Sequence, residues 1–412
     1  MEIIVERCAG IDVGKADLKA CVRTPGLGKQ TRRQEVRTFR TTTAGVMALR
    51  EWLLTEKVSL VGMESTGVYW KPVFYLLEDA FQCWLLNPQH VKNVPGRKTD
   101  VADAAWLCQL VEHGLVRPSL VPPEPIRQLR DLTRYRASLV AERTRETNRL
   151  HKVLEDAGIK LGCVATDILG VSGRDMLDAL IRGERDPQRL AELARTRLRT
   201  KKPALTEALT GRFTDHHGLL CRMMLNHIDA LDTAITQLDG EIDTQLAPFR
   251  RELARLRTIP GVGRRTAEVL IAETGADMSR FPTPAHLSSW AGMCPGNNES
   301  AGKHLSGRTR RGDTWLRGAL GEAATAASHT KHTYLATRFT RITRRRGKKR
   351  AIVAVGRSIL EAAWYVITND VDYTDLGPEH FLRLGDPRLR AQRLLTELRG
   401  LGYQVTATPT AA

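Results

Sequence analysis

At 412 residues the chain is long enough for two or more domains with buried cores. Its 63 Lys and Arg stand against 46 Asp and Glu, a formal charge of +17, and an excess this large favours a polyanionic partner whose condensed counterions are released on binding. Seven scattered cysteines with no close pair argue for reduced cytosolic thiols and against a disulfide framework or zinc knuckle, short apolar runs argue against a bilayer span, and the acidic Met1-Glu2 start lacks the basic n-region of a secretory signal.

In chain order, Cys8 to Val13 and Leu18 to Val22 read as strands joined by a tight Gly14-Lys15 turn, and Glu35 to Phe39 alternates polar with apolar. Thr41 to Thr43 can cap a helix carrying Val46, Leu49 and Leu53. A strand over 58–63 follows, then Ser65-Thr66-Gly67, an amphipathic helix with Tyr69, Val73 and Leu76, and a fifth strand from Cys83 to Leu86. Three strands, helix, strand, helix, strand, helix is the element order of the ribonuclease-H-like fold.

Four carboxylates sit on this frame. Asp12 ends one apolar run and Glu64 another, while Asp100 and Asp103 open a helix-like segment continuing through Ala104, Ala105, Trp106 and Leu107. A residue at a strand end points into a crevice, and i,i+3 spacing puts the two aspartates on one helical face. Taken singly, an Asp after a strand is more often a turn residue or helix cap. Taken together, the four form a self-repelling cluster that a hard, oxygen-loving cation, Mg²⁺ or Mn²⁺, would neutralise. Two such ions ~4 Å apart can activate a nucleophile and stabilise a leaving oxygen in phosphoryl transfer. Lys15, and Arg97 and Lys98 ahead of the acidic helix, are candidate phosphate contacts.

Pro118, Pro122, Pro123 and Pro125 mark a boundary. A long helix is expected over 126–157, a less regular insert over 158–216, and a near-heptad row at Leu220, Met224, Ile228, Leu231, Ile235, Leu238 and Ile242. Together these predict an antiparallel coiled-coil arm, with one face of a compact core as the plainer reading. Ile259-Pro260-Gly261-Val262-Gly263 resembles the turn of a helix-hairpin-helix, where Gly261 and Gly263 would bare amides to a phosphate. The Gly- and Ser-rich stretch 287–317 carries Ser300, Lys303, Ser306, Arg308, Arg310 and Arg311. From Arg338 to Arg350 there are eight Lys or Arg, including Arg344, Arg345 and Arg346, and no acid. Such a run points to nucleic acid more than to a solvated face.

Ile11-Asp12-Val13-Gly14-Lys15, Glu64-Ser65-Thr66-Gly67, Lys98-Thr99-Asp100-Val101-Ala102-Asp103, Ser289-Trp290-Ala291-Gly292 and Asn298-Glu299-Ser300-Ala301-Gly302-Lys303, with the Ile259–Gly263 turn, together resemble the DEDD-type insertion-sequence transposases that also carry a catalytic serine. These are bridge-RNA-guided recombinases related to the pilin-gene invertases. The resemblance spans nearly the whole chain. It implies an α/β plus α-helical architecture: a Holliday-resolvase-like domain (1–125), a coiled-coil arm (126–250), a mainly helical C-terminal transposase domain (251–375) and a basic tail (376–412). It implies Asp12, Glu64, Asp100 and Asp103 as catalytic metal ligands for Mg²⁺, and Ser300 as the family serine, with Ser306 next. It also implies homodimers or homotetramers, donor and target DNA, a structured non-coding guide RNA, and a cytoplasmic, nucleoid-associated protein away from membranes.

The expected function is RNA-guided excision and insertion of a mobile element. A serine alkoxide attacking phosphorus would conserve bond energy for rejoining, and serine needs a base or metal to be reactive at neutral pH. The alternatives are a metal-dependent junction nuclease that uses water, and a non-catalytic nucleic-acid-binding assembly protein.

Overall fold

The computed structural model describes residues 2–26, 32–65, 67–88, 91, 103–296, 298–300, 302–309, 312–383 and 387–406. It divides into two compact units, Met1–Val121 and Pro122–Ala412, each described by itself.

In the first unit, strands β1 (Cys8–Val13), β2 (Asp17–Pro25), β3 (Arg32–Arg40), β4 (Leu60–Ser65) and β5 (Gln82–Leu85) form one sheet in the order β3-β2-β1-β4-β5. The first three make an antiparallel meander; β4 adds parallel to β1, and β5 parallel to β4. Helices α1 (Thr43–Thr55) and α2 (Trp70–Leu77) cover one face, and α3 (Asp103–Glu112) covers the other. The Thr42 side chain caps α1 by accepting from the Gly45 amide at 3.3 Å.

Strand periodicity explains the two layers. Ala9, Ile11 and Val13 of β1, with Val61 and Met63 of β4, bury against Leu49, Leu53 and Val73. The alternate residues Cys8 and Leu60 bury against Leu107, Cys108 and Val111. Both central strands are apolar on each face because helices cover them twice. Asp12 and Glu64 fall in the second alternation, on the α3 side. Both lie inside their strands, one residue before the end, whereas the sequence placed Glu64 just after its strand.

In the second unit, α4 (Glu124–Asp156) and α9 (Asp215–Gln245) run antiparallel. Arg136 of α4 pairs with Asp239, Arg143 with Asp232, and Asp156 with His217, so partners descend one helix as they climb the other. Between them, α5 (Leu161–Val164), α6 (Val171–Ile181), α7 (Pro187–Glu192) and α8 (Lys202–Ala208) fold over one end of the pair. There Leu150, Leu154, Met176, Leu190, Leu205 and Leu225 share one core. No clear coiled-coil arm is seen. In the first turns of α9 the buried row passes through Cys221 and Leu225, not Leu220 and Met224; only Ile228, Leu231 and Ile242 of the expected seam are fully buried. A compact helical core draws the row away from a strict heptad.

The remainder contains α10 (Arg250–Leu256), α11 (Arg264–Thr274), α12 (Pro284–Trp290), the hairpin β6 (Asn298–Ser300) and β7 (Lys303–Ser306), α13 (Thr314–Ser328), α14 (Tyr334–Arg346), α15 (Lys348–Thr368), α16 (His380–Arg383) and α17 (Pro387–Gly400). Contrary to the expectation that no apolar run could span a bilayer, α15 is long and apolar enough by length and composition. It buries Val355, Ile359, Leu360 and Val366 within this unit.

Candidate active site

The carboxylate site begins with strand register. Asp12 of β1 and Glu64 of β4 are direct partners on adjacent parallel strands, which places their Cα atoms roughly 5 Å apart. Both are half-buried. Helix α3 crosses β1 at Gly10, where an added Cβ would lie 2.3 Å from the Cys108 amide nitrogen and 2.5 Å from the Ala104 oxygen. Only a residue without a side chain permits this approach. Farther along, the Cys8 and Cys108 sulfurs stand 3.6 Å apart, and Glu112 meets Arg23 and Arg32 near the start of β1. The helix therefore runs back along the strand, and its first residue, half-buried Asp103, lies toward the strand end that carries Asp12. A helix start also favours negative charge nearby.

Three of the four predicted acids thus come from two strand ends and one helix start on the same face of the sheet. Asp100 lies outside the described residues, as do Arg97 and Lys98. Among the described residues, no group of three or more His, Cys, Asp and Glu side chains comes together as a metal cage. The donor chemistry, carboxylate oxygens alone, fits a hard cation rather than a thiophilic one. Lys15 is exposed in the β1–β2 turn.

The serine segment forms its own hairpin. Ser300 pairs in register with Lys303, and the turn passes through Gly302 at a φ of 76°. The neck closes where the Gly296 amide donates to the Arg308 carbonyl at 2.9 Å. At the root, Gly312 packs so tightly that an added Cβ would be 2.4 Å from the Gly292 nitrogen. Asp313 then caps α13, accepting from the Leu316 amide at 2.9 Å. Lys303 and Arg308 are exposed; Arg310 and Arg311 lie outside the described residues, and the side chains of Ser300 and Ser306 are not among those described.

Comparison with known proteins agrees with both halves of this arrangement. A family described as "DEDD_Tnp_IS110: Transposase" matches residues 9–159, and "Transposase IS116/IS110/IS902 family" matches residues 253–340. The chain belongs to the IS110/IS902 transposase group. The transposase for insertion sequence element IS1328 of Yersinia enterocolitica is 28% identical over 67% of this chain and 73% of its own length. The pilin gene-inverting protein of Moraxella bovis is 33% identical over 32% of this chain and 43% of its own length. An insertion element IS900 protein of Mycobacterium paratuberculosis, 27% identical, covers 67% of this chain and 73% of itself. As a member of this group the protein is an enzyme that cleaves and rejoins DNA, which removes the reading as a non-catalytic assembly protein.

Elsewhere in the transposase, the two turn glycines serve different ends. Gly261 has a φ of 86°, and an added Cβ would lie 2.3 Å from the Ala323 carbonyl oxygen, so it is the contact point of its turn with α13. Gly263 is exposed at the start of α11, with open space where a Cβ would be. Arg344, Arg345 and Arg346 are exposed in the last turn of α14. All seven cysteines are free, and burial pushes the Cys108 thiol well above its ordinary range.

Sequence reading missed a buried network beneath the serine hairpin. Glu273 of α11 is fully buried and takes both oxygens to Arg134 of α4, each at 2.8 Å, with Arg130 at 3.0 Å. Arg134 also reaches Asp313 at 3.3 Å. Burial pushes Glu273 up to about 7; Arg134 opposes the rise and the neighbouring Asp313 adds to it. Arg130 further donates to the Ala272 and Glu273 carbonyls at 3.2 and 2.7 Å. The cap of the helix after the serine hairpin is thereby tied to α4. The only sequence signal was an acidic residue just beyond the apolar stretch of a short helix.

Proposed function

We propose that this transposase is an RNA-guided DNA recombinase that excises and inserts a mobile element through attack by Ser300, assisted by Mg²⁺ at Asp12, Glu64, Asp100 and Asp103. The observation that carries the carboxylate half is the shared register of Asp12 and Glu64 beneath the helix opened by Asp103. When bound there, the cation would supply Lewis acidity toward phosphate oxygens. The Ser300 Oγ loses its proton and bonds to phosphorus, the bond to the 3′ oxygen breaks, and that oxygen leaves as a 3′-hydroxyl. Lys303, the register partner of Ser300, bears a cation suited to the phosphate under attack. Rejoining is the reverse, with the 3′-hydroxyl attacking the phosphoserine.

Lys15, Arg97, Lys98, Gly263, Lys303, Arg308, Arg310, Arg311 and Arg344 to Arg346 hold nucleic acid in this reading, and Gly261 shapes the turn that offers the Gly263 region to phosphate. Residues 1–125 form the nuclease domain, 126–250 a helical region, 251–375 the serine domain and 376–412 a basic tail, and copies associate as dimers or tetramers. Guidance by a structured non-coding RNA rests on the motif resemblance and on the acid-free basic run. The protein works in the cytoplasm, at the nucleoid.

A denaturing gel tests this reading, using cognate end DNA, the flanking non-coding RNA and Mg²⁺. The expected result is a covalent protein–DNA species in the wild type that Ser300→Ala lacks. Cleaved DNA without linkage, cut equally by the variant, would make the protein a junction nuclease that uses water.

A further inference from the structure

The turn between α13 and α14 and one face of α14 together line an open cleft of about 530 Å³. His329, Lys331 and His332 contribute from the turn, and Arg341, Arg344 and Arg345 from the helix. Two local features shape it. His332 adopts a φ of 58°, a left-handed conformation that reverses the chain, and Thr333 then caps α14 by accepting from the Ala336 amide at 3.3 Å. The spacing i, i+3, i+4 puts the three arginines on one helical face.

Among the described residues, no carboxylate lines the cleft. Among the described residues, none of Lys331, Arg341, Arg344 and Arg345 forms an ion pair. The hydroxyls lining it are already engaged as donors: Thr337 to the Thr333 carbonyl at 3.1 Å, Thr340 to Ala336 at 3.0 Å and Ser328 to Thr325 at 2.6 Å. The side-chain donors left to a ligand among the described lining residues are therefore cationic or imidazole nitrogens, a set that favours a multiply charged anion. Arg341 is also held from behind. Its guanidinium lies 4.9 Å from the Phe381 ring centroid, and that ring stacks on Tyr334 at 5.0 Å.

We propose that this cleft seats the phosphate backbone of duplex DNA. The helical stripe from Thr337 to Arg345 is roughly 12 Å long. That accommodates about three successive phosphates of one strand at about 3.4 Å of duplex axis each. Apart from its two imidazoles, the lining among the described residues offers no aromatic ring on which an unpaired base could stack, which suits the cleft to backbone rather than to single strands. Such a contact positions DNA without reading its sequence. The inference extends the proposed role of Arg344 and Arg345 and adds the turn residues and Arg341, but it does not depend on serine chemistry.

The test is fluorescence anisotropy of full-length protein on a random-sequence duplex without Mg²⁺, over a range of salt, comparing wild type with Arg344→Gln/Arg345→Gln. The double variant is expected to lose roughly 10- to 100-fold in affinity near 0.1 M salt and to flatten the salt slope by about 2. An Arg344→Lys/Arg345→Lys variant should keep the slope, which separates lost charge from misfolding. An unchanged slope in the glutamine variant would overturn the assignment. So would weakened binding to a hairpin RNA of equal charge with duplex DNA binding intact. Because no strand is cut, failure of the covalent-linkage assay leaves this result standing, and an unchanged slope leaves the linkage assay standing.

Discussion

Two arginine-rich helices of the second unit use similar charge in opposite ways. On α4, Arg130 and Arg134 meet Glu273, Arg134 also meets Asp313, Arg136 meets Asp239, and Arg143 meets Asp232. On α14, Arg341, Arg344, Arg345 and Arg346 form no ion pair among the described residues. The first helix is held in place by its charges; the second presents them outward. The difference teaches that charge density alone is a poor guide to binding. What matters is whether acids sit within reach: those that meet these α4 arginines come from α9, α11 and Asp313, while 338–350 itself carries none.

The comparison would break most visibly at Arg134. Arg134→Ala removes the bidentate partner of a fully buried carboxylate and is expected to destabilise the protein by on the order of 3 kcal/mol in urea unfolding. A loss below about 0.5 kcal/mol would mean that the α4 arginines are not structural. The pH dependence sharpens the same point. Glu273 has its folded value raised to about 7 from an ordinary 4.5, so the folded state holds this proton more tightly than the unfolded chain does. Its contribution to stability is complete below about 4.5 and is lost as pH rises through about 7, a fall of roughly 1–3 kcal/mol. Urea midpoints at pH 5 and pH 8 measure it, and Glu273→Gln should remove most of the difference. The smallest stability change belongs to α14: Arg345→Ala should stay within about 0.5 kcal/mol of wild type while duplex DNA affinity drops. A stability loss as large as that of Arg134→Ala would erase the distinction.

Much of the first unit was legible in the chain. Apolar runs ending at Asp12 and Glu64 gave away β1 and β4, and Thr41 to Thr43 marked the α1 start within a residue. That Asp12 and Glu64 are register partners was not legible from either run, since pairing depends on a parallel crossover between strands about fifty residues apart. Gly10 could be noticed, but its purpose appears only with α3 against it. In the second unit, the seam at Ile228, Leu231 and Ile242 was readable, whereas the shift to Cys221 and Leu225 arises from helices inserted elsewhere in the sequence. Glu273 was out of reach because its partners Arg130 and Arg134 lie some 140 residues upstream. The basic run of α14 was plain; the back-folded turn that makes it concave depends on the single left-handed residue His332.

The proposed mechanism makes strand cleavage depend on Asp12 and Glu64, register partners on the α3 side of the sheet. Its most direct test is Asp12→Asn, a replacement of nearly equal size that removes one negative charge, assayed for Mg²⁺-dependent cleavage of cognate end DNA with DNA affinity measured on the same preparation. The account predicts that cleavage is abolished while affinity is unchanged. Cleavage at the wild-type rate would contradict it and remove Asp12 from the site.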